Sequence, residues 1–184
     1  MTDLDMVSPG TVLLAVRPFS GEAEASHRLL RETAAPLLQD AASTLARDSQ
    51  GKPYFADCPQ LHFNLSHSGD LWVCAFAREP VGLDVQQQDD RRWEALAARY
   101  FHPREVQLVR MRGAAAFFDV WSAKESYLKY LGCGLRRPLN GFSTVAEDGS
   151  FPALPGVCLT QIALRPGCSL FLCTEKQPAA IYRL

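Results

Sequence analysis

The chain has 184 residues, of which 47% are hydrophobic, and its 19 Lys+Arg and 20 Asp+Glu residues give a formal net charge of −1. A chain of this length can bury a hydrophobic core without disulfides or structural metals. The near-neutral charge argues against a protein that coats nucleic acid through a global positive field, so we expect no nucleic-acid partner.

The cysteines and the apolar runs indicate in which cellular compartment the protein is expected. The six cysteines show no C-x-x-C spacing, which argues against a zinc site and for reduced thiols. The apolar run at residues 12–16 is too short for a signal sequence or a membrane span. We therefore expect a cytoplasmic protein with no membrane segment.

The first half of the chain alternates between strand and helix signals. Residues 12–16 predict a short strand, and the Ala- and Leu-rich stretch 22–47 predicts a helix that Pro36 bends or divides. Apolar segments separated by turn residues then predict an antiparallel meander, over residues 61–65, 72–77 and 81–86.

In the second half, helix signals come first and strand signals follow. Helical spacing predicts helices over residues 91–100, 103–111 and 114–131, the last ended by Gly132 and Gly134. Short strands are predicted to follow at residues 142–145, 157–164, 169–174 and 180–182. Helices segregated from antiparallel hairpins indicate an α+β fold rather than a doubly wound parallel sheet.

Asp84 is an acid near the end of the otherwise apolar strand VGLDVQ. Gln86 lies two residues later and faces the same side of the strand. Burying a carboxylate is costly unless it has a partner. Asp84 therefore either caps the next turn or is a ligand for a hard cation, with Gln86 contributing a neutral oxygen.

Glu125 and Lys129 are four residues apart on one face of the last predicted helix. Such a pair is ordinarily a solvated one worth only about 0.2–0.5 kcal/mol. Trp121, however, lies one turn earlier on the same face. A tryptophan there favours a groove or an interface over open solvent.

The segment HFNLSHSG at residues 62–69 combines small hydroxyls, histidine and glycine. Ser66 and His67 are adjacent on an extended segment and point to opposite sides, so they cannot form a nucleophile–base pair with each other. The composition suits either a phosphate cradle or a plain hairpin turn.

Four motifs taken together resemble the 4′-phosphopantetheinyl transferases of the surfactin-synthetase-activating type. These motifs are GKPYF at 51–55, HFNLSHSG at 62–69, VGLDVQ at 81–86 and WSAKESYLK at 121–129. The resemblance runs from about Ser26 to Phe142. It implies two similar α+β halves related by a pseudo-twofold axis, residues 1–88 and 89–184, with coenzyme A at the seam. It also implies a monomer, since one chain encodes both sides of the cleft.

The resemblance implies that the chain transfers the 4′-phosphopantetheine arm of coenzyme A to a serine of an acyl or peptidyl carrier protein, releasing adenosine 3′,5′-bisphosphate. Breaking a pyrophosphate calls for positioning and charge stabilisation, which Mg²⁺ ordinarily supplies with one or two carboxylates. The alternative is a non-catalytic module that binds coenzyme A or the carrier.

The resemblance also implies a role for individual residues. Asp84 and Glu125 are the expected Mg²⁺ ligands, with Gln86 as a third, and Glu125 is the expected base. Lys129 and Lys124 are expected on the pyrophosphate. The other implied contacts with coenzyme A are Arg28 and His67 on the 3′-phosphate, Lys52 and Ser66 on phosphate and nucleotide, and Pro53 and Tyr54 in the same motif as Lys52.

The chain departs from the family pattern in two places. Gln86 stands where relatives often have a third acid, which predicts a weaker metal site. The lysines that many relatives use near the 3′-phosphate have no counterpart, although Arg17 or Arg31 could replace them. The basic, apolar segment 109–112 is either a docking face for an acidic carrier or a solvated helix end.

Overall fold

The computed structural model describes residues 7–38, 44–134 and 137–184. The helices are α1 (Ala23–Ala34), α2 (Trp93–Tyr100), α3 (Pro103–Arg112) and α4 (Ala114–Leu131). The strands are β1 (Thr11–Pro18), β2 (Leu45–Arg47), β3 (Pro53–Phe55), β4 (His62–Ser68), β5 (Leu71–Ala77), β6 (Gly82–Gln87), β7 (Cys158–Gln161), β8 (Cys168–Thr174) and β9 (Ala180–Arg183).

These strands form two main sheets and a small hairpin. The first sheet has the order β4-β5-β1-β9, the second has the order β6-β8-β7, and β2 pairs with β3. All neighbouring strands are antiparallel except β1 and β9. Small antiparallel sheets combined with segregated helices confirm the expected α+β class.

The chain crosses between the two sheets twice. β6, from the first half, pairs with β8 in the second sheet, and β9, from the end of the chain, pairs with β1 in the first. Each predicted half therefore contributes a strand to the other half's sheet. The division at residue 88 remains a prediction.

β4 and β6 lie side by side where the two sheets meet. The backbone N–H of Leu83 donates to Asn64 Oδ1 at 2.8 Å, and that of Gln87 donates to Ser68 Oγ at 2.9 Å. A backbone N–H away from water needs a partner, and here side chains of β4 supply it in place of a strand ladder. This seam joins the two sheets and places the end of β6 beside β4.

Two hydrophobic layers cover the first sheet. α1 packs on one face, where Leu30 joins Phe63 and Trp72. On the other face, Leu14 and Leu83 belong to a cluster that draws on strands of both sheets. The shared cluster fixes the sheets relative to each other, because neither could expose this surface to water without a large cost.

α4 packs on the second sheet at unusually short range. A Cβ added at Gly82 of β6 would overlap the carbonyl oxygen of Ser126 and the backbone nitrogen of Tyr130. Glycine is therefore needed at residue 82 because the helix backbone occupies the space of a side chain. The contact brings Asp84, in the middle of β6, close to α4.

Most predicted elements are present, and β3 is a strand that was not predicted. Three further differences concern predicted elements. The helix predicted over 22–47 ends at Ala34, Pro36 lies in a short 3₁₀ turn, and Leu45–Arg47 is a strand; residues 39–43 lie outside the described part. Residues 142–145 form no strand. The meander is broken because β6 pairs with β8 rather than β5.

Two observations bear on the expectations of reduced thiols and of no membrane segment. All six cysteines are free thiols. Within residues 7–38, 44–134 and 137–184, no helix combines the length and apolar character needed to cross a bilayer.

Gly82→Ala should destabilise the fold by about 3 kcal/mol or more, because the added methyl meets backbone rather than a movable side chain. The matched control is Gly141→Ala, whose added Cβ would meet Pro138 at an ordinary 3.5 Å. Urea denaturation of both variants measures the difference. Equal stability of the two variants would contradict the close approach of α4 to β6.

Candidate active site

Asp84 is buried in the middle of β6 and is held by side chains from two other elements. Its Oδ1 accepts hydrogen bonds from Ser66 Oγ of β4 at 2.8 Å and from Lys129 Nζ of α4 at 2.7 Å. Lys129 Nζ also donates to Ser66 Oγ at 2.9 Å, which closes a triangle. The ammonium supplies the charge partner that a buried carboxylate requires. All hydrogen bonds that the described residues donate to this carboxylate come from side chains, so Asp84 does not act as a turn cap.

Glu125 lies one turn before Lys129, and the charge of Asp84 affects its pKa. Burial raises the pKa of the Glu125 carboxyl, the negative charge of Asp84 raises it further, and Lys129 opposes both effects. No residue in the described ranges donates a hydrogen bond to Glu125. Lys129 forms its ion pair with Asp84 instead, so the solvated Glu–Lys pair of the helix surface does not form.

These two carboxylates fit a hard divalent cation. Their mutual repulsion, seen in the raised pKa of Glu125, is the kind of strain that a bound cation relieves. The described residues contain no group of three or more His, Cys, Asp or Glu side chains that could hold a metal. A cation here would therefore have two acidic ligands, and its other ligands would be neutral groups, water or substrate oxygens.

Gln86 lies beside the first of these carboxylates. Its Nε2 donates to Asp84 Oδ2 at 3.0 Å. The amide thus orients Asp84 in this structure. Direct ligation by Gln86 requires the amide to present its oxygen and remains a prediction.

A cavity of about 540 Å³ opens beside Lys129. Lys52 lines it and donates to the carbonyl oxygens of Val81 at 3.1 Å and Tyr130 at 3.2 Å. Burial lowers the pKa of Lys52. Two of its three N–H donors thus bind main chain just before β6 and near the end of α4. The cavity's other lining residues include Pro53, Asn64 and Cys133, whereas the neighbouring Tyr54 side chain is 38% exposed.

Ser66 and His67 face opposite sides of β4, as their adjacency predicts. Ser66 faces Asp84. The His67 ring lies against Phe19 at 4.6 Å, and His67 pairs across strands with Trp72 on the side that α1 covers. Arg28 is exposed on α1, 3.9 Å from Glu32. The contacts of His67 and Arg28 with a 3′-phosphate remain a prediction.

The structure places Trp121 in a groove, as its position on the helix suggests. The ring packs at 5.6 Å from Phe117 and 6.1 Å from Phe101. The groove has a volume of about 670 Å³ and is lined by Leu96, Arg99, Tyr100, Trp121, Arg137, Pro138, Leu139 and Asn140. An apolar groove therefore lies one helical turn from Glu125.

The segment 109–112 forms the last turn of α3. Val109 is buried, whereas Met111 between the two arginines is 75% exposed. A docking role for Arg110 and Arg112 remains a prediction.

Comparison with known proteins assigns the family. The family model described as the 4′-phosphopantetheinyl transferase superfamily matches residues 80–175, which include β6, α4 and β8. The chain belongs to this superfamily. The expectation drawn from the four motifs is thereby confirmed.

Three transferases illustrate the similarity. The chain is 34% identical over 176 residues to the 4′-phosphopantetheinyl transferase psf-1 of Bacillus pumilus, covering 90% of this chain and 74% of the relative. It is 35% identical over 126 residues to a 4′-phosphopantetheinyl transferase of Bacillus subtilis, covering 65% and 56%. It is 38% identical over 104 residues to Sfp of Bacillus subtilis strain 168, covering 54% and 46%. The match therefore spans only about half the length of the last two relatives.

Lys124 does not reach the active site of this superfamily member. Its side chain has no exposed surface, and Nζ is 2.8 Å from Glu105 Oε2 and 2.7 Å from the carbonyl oxygens of Leu139 and Phe142. These three acceptors use all the N–H donors of the ammonium. The prediction that Lys124 contacts the pyrophosphate is therefore wrong, because its ammonium is buried in an ion pair with Glu105.

Three residues that position the site were absent from the sequence prediction. Asn64 and Ser122 hydrogen-bond the main chain of β6, and Glu105 neutralises Lys124. Asn64 lies two residues before Ser66, and the period of two along a strand could have placed it on the same face. Local spacing gives no comparable signal for Glu105.

Glu125→Gln should make the metal-free protein more stable at neutral pH. Because the folded-state pKa is raised above the ordinary value of 4.5, the folded state keeps a proton that the unfolded state has lost, and stability falls as pH rises through that window. Glutamine removes this cost. Thermal unfolding with a chelator should show a higher Tm than wild type at pH 7 and a smaller difference below pH 4.5.

The control for this experiment is Glu94→Gln, which changes an exposed carboxylate of α2. It should not raise Tm at either pH, and at pH 7 it should lower Tm slightly, because Glu94 lies in the first turn of α2, where a carboxylate is stabilising. A Glu125→Gln variant no more stable than wild type at pH 7 would contradict the charge repulsion in the site.

Lys124→Met should lower stability by about 3–5 kcal/mol, because it leaves the Glu105 carboxylate buried without its cation. Urea denaturation measures the loss, and Lys176→Met, on an exposed lysine, should show none. The folded fraction of Lys124→Met should bind coenzyme A like wild type. Weakened binding with unchanged stability would restore the pyrophosphate role.

Proposed function

We propose that this chain transfers the 4′-phosphopantetheine moiety of coenzyme A to a serine hydroxyl of an apo acyl or peptidyl carrier protein, with Mg²⁺ as cofactor, and releases adenosine 3′,5′-bisphosphate. The observation that carries the proposal is the Ser66–Asp84–Lys129 triangle with Glu125 beside it. It stands in a chain of the phosphopantetheinyl transferase superfamily.

Glu125 is the group that takes up the proton of the attacking serine. Burial and the charge of Asp84 raise the pKa of Glu125 in the metal-free protein, and this shift is in the direction that makes a carboxylate a more effective general base. The serine oxygen forms a bond to the phosphorus that carries the pantetheine arm. The bond from that phosphorus to the bridging oxygen breaks, and the bridging oxygen leaves with adenosine 3′,5′-bisphosphate.

Lys129 stabilises the negative charge that develops on the pyrophosphate. Its ammonium is a compact charge suited to phosphate oxygens, and Asp84 and Ser66 hold it in place at 2.7 and 2.9 Å. Asp84 and Glu125 would hold Mg²⁺, with Gln86 beside them. When bound, Mg²⁺ neutralises charge on the phosphate oxygens.

Two further parts of the proposal concern the oligomeric state and the compartment. Asp84 and Glu125 come from one chain, so a monomer suffices for catalysis. The free cysteines suit a reducing compartment, and we place the enzyme in the cytoplasm.

The decisive experiment is the intact mass of an apo carrier after incubation with coenzyme A, Mg²⁺ and the protein. Wild type should add one phosphopantetheine per carrier. Glu125→Gln should lower the rate by roughly 100-fold or more, as loss of a general base does, and Asp84→Asn should also abolish most activity. Glu94→Gln should match wild type.

The alternative is a non-catalytic module that binds coenzyme A or the carrier, which the neutral Gln86 favours. Bound coenzyme A without any mass gain across several carriers would establish this alternative. Wild-type rates in both site variants would refute the assignment of Asp84 and Glu125.

A further inference from the structure

α4 turns polar side chains toward the second sheet, where a helix usually presents an apolar face. Ser122 and Ser126 have no exposed surface at all. A buried hydroxyl ordinarily has a hydrogen-bond partner, and the partners of these two serines differ. The difference points to a specific task for one of them.

Ser122 links the helix to the sheet at the level of Asp84. Its Oγ is 2.7 Å from the carbonyl oxygen of Asp84 in β6 and 3.3 Å from that of Ser169 in β8. Ser126 instead donates to Ala123 O at 2.8 Å, within α4 itself. Ser122 is thus, in the part of the chain that the structure describes, the α4 side chain that hydrogen-bonds the main chain of β6.

This link joins the two elements that supply the acidic groups. Asp84 projects from β6, whereas Glu125 projects from α4 three residues after Ser122, on the same side of the helix. The contact at Gly82 lets the helix approach the strand but is non-directional. A hydrogen bond to a carbonyl oxygen has a preferred distance and direction, so it also fixes the position of the helix along the strand.

We propose that Ser122 is a positioning residue that sets the spacing between the Asp84 and Glu125 carboxylates and thereby the affinity of the site for a divalent cation. The inference rests on the proposed function only in naming that cation as part of the active site. Groups that act through a metal ligand commonly change metal affinity or activity by roughly 10–100-fold when removed.

Another polar residue of α4 does not take over this task. Asp119 Oδ1 accepts from Ser169 Oγ at 2.5 Å and from Gln161 Nε2 at 3.0 Å. These contacts hold α4 to β8 and β7. They leave the Asp84 main chain to Ser122.

The test compares Ser122→Ala with the matched control Ser126→Ala in the full chain. Mn²⁺ binding is followed by electron paramagnetic resonance in the presence of coenzyme A and without carrier, so that no turnover occurs. Ser122→Ala should weaken Mn²⁺ binding by roughly 10-fold or more, and Ser126→Ala should bind like wild type. In transfer assays, Ser122→Ala should need more Mg²⁺ for half-saturation and show a lower kcat, with the KM for both substrates unchanged.

Urea unfolding of both variants separates positioning from general stability. Wild-type Mn²⁺ affinity in a folded Ser122→Ala would overturn the inference, as would equal weakening in both variants in step with lost stability. If Ser122→Ala does not fold, the near-isosteric Ser122→Cys, with its weaker donor, replaces it, and wild-type affinity there would also overturn it.

The outcomes also separate this inference from the proposed function. A wild-type protein that binds Mn²⁺ but transfers nothing refutes the proposed function, whereas the comparison of the two serines still tests the inference. A wild-type protein that binds no Mn²⁺ refutes the positioning role of Ser122.

Discussion

The site depends on how closely α4 packs against β6. Gly82 leaves room for the helix backbone, and Ser122 joins the helix to the Asp84 carbonyl at 2.7 Å. Because of this approach, Lys129 reaches Asp84, and Glu125 lies within the field of the same carboxylate. A side chain at residue 82 would push these groups apart, so a contact between two backbones controls the geometry of the site.

The two carboxylates of the site differ in how well their negative charge is compensated. Asp84 is buried and has a full ion pair with Lys129, whereas Glu125 carries a raised pKa and accepts no hydrogen bond from a described residue. Leaving one carboxylate undercompensated costs stability in the metal-free protein. In the proposed reaction the same imbalance serves cation binding and proton transfer, which would be a common exchange of stability for function.

Most side chains of the segment WSAKES, residues 121–126, have a structural role, although several of them are polar. Trp121 lines the groove, Ser122 binds the sheet, and Lys124 neutralises Glu105 in the interior. Only Glu125 of this segment faces the site. Arginine is the usual cation in this chain, yet a fully buried position that offers one carboxylate and two carbonyl oxygens fits the three donors of an ammonium better than a planar guanidinium.

Sequence periodicity was enough to predict α2 to α4, most strands and the opposite faces of Ser66 and His67, because these depend on local spacing. The family was predicted separately, from the resemblance of four motifs. Tertiary structure decided that β6 pairs with β8, that Leu45–Arg47 is a strand and that Lys124 is buried. Periodicity identifies which side of an element is covered. The segment that covers this side is distant in sequence, and its approach depends on the packing of the whole chain. Here β8 pairs with β6, and Glu105 pairs with Lys124.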